Sequence, residues 1–174
     1  MAKTDSFFIR KTVNIQDDES YYQDSIDLGA YVDALGKAVL RIHNVSIVYT
    51  TSTGAPLEIT GSANGTSVSA CTQLCTQTQT DMVLPSNKSV VASSRLSAYC
   101  FGTSGDSYMS ITSDATDPGP QHWTNGYLIG VEQLYFGGEA TSFWVGDVYA
   151  TIVMECTSET LSKEAAMALA LSQQ

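Results

Sequence analysis

The sequence predicts an all-β fold, an antiparallel jelly-roll sandwich with a short helix near residues 29–36 and a second helix at its C-terminal end. Three observations lead there. Between Ser6 and Cys156 the chain is a series of short runs rich in Val, Ile, Thr, Tyr and Phe, the residues that suit a pleated, half-buried surface. Gly, Asn, Asp, Ser and Pro break these runs at short intervals and supply turn chemistry. Helical spacing of apolar residues is sustained at one place, from Glu159 to Leu171. About eight to ten strands with short and long connections suit two packed sheets better than a small barrel. An immunoglobulin-like sandwich is the nearest competitor, but the Cys…Trp…Cys framework of that fold is missing.

At 174 residues the chain fits one domain. It divides into a short arm (1–5), a β domain (6–157) and a helical tail (158–174). Phe7 to Ile15 alternates as a half-buried strand, and Gln16 to Glu19 reads as an exposed turn. Tyr21 to Leu28 pairs as a second strand. Gly29 to Gly36 is taken as the short helix, with Asp27 placed to cap it. Ala38 to Thr51 is the strongest strand signal, with Leu40, Ile42 and Val48 on one face and Val39, Val45, Ile47 and Tyr49 on the other. Apolar residues on both faces predict a central strand. Leu57 to Thr60 is a brief strand, Asn64-Gly65 a hairpin signal, and Thr66 to Gln77 its return. Asp81 to Leu84, Ser89 to Phe101 and Tyr108 to Thr112 follow. Asp114 to Asn125 is the longest irregular stretch and the expected functional loop. Gly126 to Phe136 and Ser142 to Cys156 finish the sheet, with Gly137-Gly138 as the turn or bulge between them.

The tail helix is capped by Ser158, carries Glu159 in its first turn, and shows an apolar stripe of Leu161, Ala165, Ala168 and Leu169 widened by Met167 and Leu171. Such a helix folds back on its own domain or packs on a neighbour. The second is favoured, so removing Glu159 to Gln174 is expected to weaken assembly more than folding.

Composition narrows the function. The net charge is −10, only 15% of residues are charged, and residues 1–35 hold seven acids against three bases. Clustered Lys and Arg are what bind phosphate chains, so little direct nucleic-acid binding is expected. The first ten residues lack the apolar stretch of a signal peptide and no apolar run reaches 18 residues, so the expectation is a chain made in a cytoplasm with no membrane span. The sequons at Asn44, Asn64 and Asn87 are then chance occurrences.

Catalytic and metal motifs are thin. His43 lies in a strand and His122 beside Trp123 in the Pro-rich loop, too few for a metal cluster. Gly102-Thr-Ser-Gly105 lacks the spacing of a nucleophile elbow, and Gly105-Asp-Ser107 resembles an esterase block that belongs to another fold class. Glu58, Glu132, Asp147 and Glu155 lie on strands, but nothing selects a pair for glycoside hydrolysis. Asp114 and Asp117, or Asp17, Asp18 and Glu19, read as solvated turns. They are also the two places where oxygen ligands would hold a structural Ca²⁺ between subunits. Cys71, Cys75, Cys100 and Cys156 carry no zinc spacing and are read as free thiols, with a Cys71–Cys75 bridge as the alternative.

Two long stretches carry a resemblance. Ser25-Ile-Asp-Leu-Gly-Ala-Tyr-Val-Asp-Ala-Leu-Gly-Lys-Ala-Val-Leu-Arg-Ile-His-Asn-Val-Ser46 passes from a strand through a short helix into a long core strand. Phe143-Trp-Val-Gly-Asp-Val-Tyr-Ala-Thr-Ile-Val-Met-Glu155 closes the sheet. Both resemble the single jelly-roll coat proteins of small icosahedral viruses, the kind found in marine environmental sequences. The likeness is one of pattern over most of the chain, without a diagnostic short motif. It implies a non-enzymatic subunit of a virion, made in a host cytoplasm, whose partners are copies of itself and other virion proteins. The basic arm of many such proteins is absent here. The expected assembly contacts are Phe7 and Phe8, the His122-Trp123 loop, and Leu161, Leu169 and Leu171 of the tail. The competing class is a carbohydrate- or receptor-binding β-sandwich using Tyr21, Tyr22, Tyr108 and Trp123. A metal enzyme of the cupin kind would need more histidines.

Overall fold

The computed structural model describes residues 5–33, 37–60, 65–103, 106–113 and 118–174, with the backbone alone over 100–103 and 106–113. Nine strands run in the order β1 (Phe7–Gln16), β2 (Tyr22–Asp27), β3 (Ala38–Thr50), β4 (Thr66–Cys75), β5 (Val90–Thr103), β6 (Asp106–Ser113), β7 (Tyr127–Ile129), β8 (Gln133–Ala140) and β9 (Val148–Thr160), followed by α1 (Lys163–Ser172). They form two antiparallel sheets, β1-β9-β3-β7 and β2-β8-β4-β5-β6. The pairing is nested: β1 meets β9, β2 meets β8, β3 meets β7, and β4 meets β5.

Period-2 patterning decides which face is buried. Val13 and Ile15 of β1, Val148 to Cys156 at every second position of β9, and Val68, Ala70 and Leu74 of β4 all point between the sheets. Together with Leu134, Phe136, Leu40 and Ile42 they make one apolar cluster spanning both layers. Tyr49 crosses it: its hydroxyl meets Thr72 Oγ1 at 2.9 Å and donates to the Ser94 carbonyl at 2.9 Å on the facing sheet.

The expected strand at Leu57–Thr60 is reduced to a single bridge between Ile59 and Trp144, Asp81–Leu84 forms no strand, and four further expectations change. The strand from Ala38 carries apolar residues at both parities because a bulge between Ile42 and Asn44 shifts the register against β9. Leu40 and Ile42 face the core before it, and Val45, Ile47 and Tyr49 after it. Extra residues of this kind re-aim a strand without ending it. Secondly, Gly29 to Val32 make a single turn, with Tyr31 and Val32 amides both donating to the Leu28 carbonyl, and no helix forms there among the described residues. Residues 34–36 lie outside the described set. The Asp27 carboxylate does cap this turn, accepting the Gly29 amide at 2.8 Å.

Thirdly, the run predicted as one strand from Gly126 to Phe136 is split. Gly130 to Glu132 carries the chain from β7 in one sheet to β8 in the other. Gly137-Gly138 is the middle of β8 rather than a turn: a Cβ at Gly138 would overlap the Cys71 carbonyl oxygen of β4. Fourthly, β9 runs to Thr160, pairing Glu159 with Val39 and Thr160 with Ala38, so Ser158 and Glu159 belong to a strand and not to the helix. The helix begins after Ser162, whose side chain accepts the Ala165 amide. Removal of everything from Glu159 therefore takes part of the sheet along with the helix.

Candidate assembly surfaces

At the start of β1, Phe7 faces inward and stacks on Tyr31 with ring centroids 4.6 Å apart. Phe8, opposite Glu155, faces outward and is 54% exposed. The Arg10 guanidinium lies 5.4 Å from the Phe8 ring centroid, a cation over an aromatic face. Of the two phenylalanines, only Phe8 presents apolar surface to a partner.

The His122-Trp123 loop has a different position from that expected of a free functional loop. Because β7 pairs only with Leu40 to Ile42, the rest of β3 has no strand on that side among the described residues. The loop fills the gap. A 3-10 turn at Pro120–His122 sets Gln121 against β3, where its carboxamide accepts the Val45 amide and donates to the Val45 carbonyl, both at 3.3 Å. One side-chain amide thus imitates a neighbouring strand and blunts a sheet edge. Trp123, 44% exposed, tilts against Tyr127 at 5.8 Å. Gly126 then turns at φ 61°, where a Cβ would strike the Ile42 carbonyl.

Beneath this loop sits a two-pronged ion pair. Arg41 Nε and one terminal nitrogen donate to the two oxygens of Glu159 at 2.7 and 2.8 Å, a fork-to-fork pair. The other terminal nitrogen donates to the Asn125 carbonyl at 2.6 Å. The Glu159 side chain is wholly buried and that of Arg41 is 17% exposed. The carboxylate raises the Arg41 pKa, so the guanidinium stays charged. Next to it, His43 Nε2 and Thr157 Oγ1 are 2.9 Å apart.

The tail helix packs on its own domain. Ala166 and Ala170 are buried, Leu169 lies against Gly130, and the Leu161 amide donates to the Lys37 carbonyl at 2.9 Å. The buried face is thus Ala166 and Ala170, while Ala165, Ala168 and Leu171 are exposed, Leu171 at 68%. Gln173, just past the helix, is buried. Its side chain accepts the Gly130 amide at 2.8 Å and donates to the Leu128 carbonyl at 2.7 Å, closing the free side of β7 as Gln121 closes β3. Its own carbonyl accepts the Thr76 hydroxyl at 2.8 Å, which ties the tail to the second sheet. The loop and the tail therefore line one side of the first sheet, and Phe7 and Phe8 the opposite side.

The acidic turn is engaged internally. Asp18 accepts the Tyr22 hydroxyl at 2.7 Å and the Ser20 amide at 3.0 Å, which lower its pKa and raise that of Tyr22. Glu19 accepts the Ser142 hydroxyl at 3.1 Å. Asp17 stands beside them, half-buried, while Asp114 and Asp117 lie outside the described residues. No group of three metal-ligating side chains occurs among the described residues. Cys71, Cys75 and Cys156 are free thiols, and burial pushes Cys75 up to about 11 and Cys156 up to about 12. Tyr21 is held by Gln73, whose carboxamide donates to its hydroxyl at 3.1 Å, and burial raises its pKa to about 12. On the outer face of β4 a cleft of about 260 Å³ opens between Arg95, Cys71 and Glu139, walled by Met82 to Pro85. Among the described residues no helix is long and apolar enough to cross a membrane.

Gln121, Gln173, Arg41 and Glu159 had no signal in the sequence, because each acts through a partner more than 40 residues away. No family model and no curated protein matches the chain. Among solved structures, a chain of Desmodium yellow mottle tymovirus overlays 91% of this chain and 90% of its own length at 12% identity, with a TM-score of 0.29. A superposition this loose adds nothing to the strand order itself.

Proposed function

We propose that the chain is a non-catalytic structural subunit that assembles with copies of itself, and with other virion proteins, into the closed coat of a small icosahedral virus. The observation that carries the reading is the nested strand order. With β6 set aside as a hairpin extension of β5, β1-β9-β3-β7 facing β2-β8-β4-β5 reads as the eight-strand jelly roll, a sandwich used by viral shells, lectins and cupins. A fold does not name a function by itself. Three further points favour a shell among those uses. The sequence pattern of residues 25–46 and 143–155 resembles coat proteins. Charge is sparse, as in surfaces that spend their time against neighbours. The two glutamines close the β3–β7 side of the first sheet, which removes one sheet edge from contact.

For the sugar-binding alternative, Tyr21, Tyr22 and Trp123 each contact other residues of the domain, with Trp123 still 44% exposed, and the Tyr108 side chain lies outside the described set. With a net charge of −10, the inner surface of such a shell would touch a genome little. Under this reading the chain resides in the virion after synthesis in the host cytoplasm.

Light scattering on a sizing column, with electron micrographs of any large fraction, tests this. The expected result is closed particles or capsomer-sized rings. A monomer near 18.6 kDa across salt, pH and Ca²⁺ would overturn the reading.

A further inference from the structure

The outer face of the first sheet differs from the rest of this acidic molecule. Its rows are fixed by register: Phe8, Glu155 and Asn44 lie side by side, then Arg10, Val153 and Ser46, with rows through Thr151 and Tyr149 beyond. Among outward positions from Phe8 to Asn14 on β1, Tyr149 to Glu155 on β9 and Asn44 to Thr50 on β3, only Arg10 and Glu155 are charged. The chain carries 18 acids against eight bases, yet these twelve positions hold one charge of each sign, and the further carboxylate of Asp147 reaches only the far corner, where it accepts the Asn14 side-chain amide at 2.7 Å. It is open: Val48, 50% exposed, lies in its third row, and Phe8 stands at its corner. The Thr12 and Thr151 hydroxyls satisfy one another at 2.8 Å, which reduces the cost of covering them.

We propose that two copies of the chain meet sheet to sheet across this face, about a two-fold axis that sets Arg10 of each opposite Glu155 of the other. The inference rests on the self-assembly reading and names one contact within it. A second copy suits this face better than a charged partner does. One cation and one anion at diagonal positions are self-complementary under a two-fold, as an isologous contact requires. Elsewhere the excess of acids makes copies repel. Arg10 is propped over the Phe8 ring, so its charge is presented outward. From strand spacings near 4.8 Å and a rise near 3.4 Å per residue, the face measures about 400 Å². That is about half of a standard interface on each partner, so the pair is weak alone and is strengthened by the other contacts of a shell.

Sedimentation velocity across a concentration series tests the proposal, with thermal melts of each variant as a folding control. Wild type should associate reversibly. Arg10→Glu and Glu155→Arg should each weaken association by about tenfold or more, since each sets like charges together twice, and the double swap should restore it. Val48→Glu should weaken it comparably, while Leu84→Glu, on the segment outside the second sheet, should leave it unchanged. A wild type monomeric at every soluble concentration, or a double swap no better than the singles, would overturn the proposal. Micrographs of the same variants separate it from the coat reading. Shells that form unaltered with Arg10→Glu and Val48→Glu sink the contact alone, whereas pairs that never grow into particles sink the coat and leave the contact standing.

Discussion

Arg41 and Glu159 show what one buried pair does in this molecule. The carboxylate takes two bonds from one guanidinium, and that guanidinium also holds the Asn125 carbonyl, so a strand, the end of another strand and a loop share one contact. Removing one member leaves a charge with its solvation already lost. Glu159→Ala is expected to lower the unfolding free energy by about 3 kcal/mol, read from the urea midpoint, with Glu159→Gln losing less because it keeps an acceptor. An unchanged midpoint for Glu159→Ala would show that water reaches Arg41 freely. The raised thiols and phenol act at the other end of the pH scale. Tyr21 moves from 10.0 to about 12, Cys75 from 9.0 to about 11 and Cys156 from 9.0 to about 12, all because burial disfavours the ionised form. The unfolded chain therefore loses these protons first. Their contribution is complete below about pH 9 and disappears as pH rises through 11 to 12. Urea midpoints should hold steady up to about pH 9 and fall from there to pH 11 to 12, and Cys75→Ala should reduce the slope of the fall.

At the scale of elements, the two glutamines decide how the first sheet ends. Gln173→Ala removes the partners of the Gly130 amide and the Leu128 carbonyl while leaving the backbone bond to Thr76 in place. The expected cost is about 1–3 kcal/mol, with faster hydrogen exchange at Gly130 than at Leu74 in the core. Equal protection at the two amides would mean that the helix, not the carboxamide, holds this edge. The sequence made most strands legible because alternation is a local signal: Phe7 to Ile15 and Ala38 to Thr50 could be read from their own residues. It failed where the deciding contact was remote. His43 stands at a bulge whose cause is the register with β9, so Val48 was assigned to the face of Leu40 when it lies on the opposite one. Ser158-Glu159 has the chemistry of a helix start, but the salt bridge with Arg41 and the pairing with Leu40 and Val39 place it in a strand. Gly137-Gly138 looked like a turn because the neighbouring backbone that requires glycine comes from β4.

For the whole molecule, nesting means that most of the sheet is assembled from distant parts of the chain. The expected assembly residues were named as three groups. The structure puts Phe8 on an open face and the His122-Trp123 loop on an edge, and it folds the tail inward. The same nesting has a consequence for synthesis. A ribosome delivers β1 first and its partner β9 last, and β3 also waits for β9 along nearly its whole length. At about 5–20 residues per second, that leaves the first strand without its mate for about 7–30 s. During that interval the second layer can begin to form around β4 and β5, while two long strands of the first have bare edges. The nascent chain thus carries unpaired strand edges past its neighbours on the same message until β9 emerges.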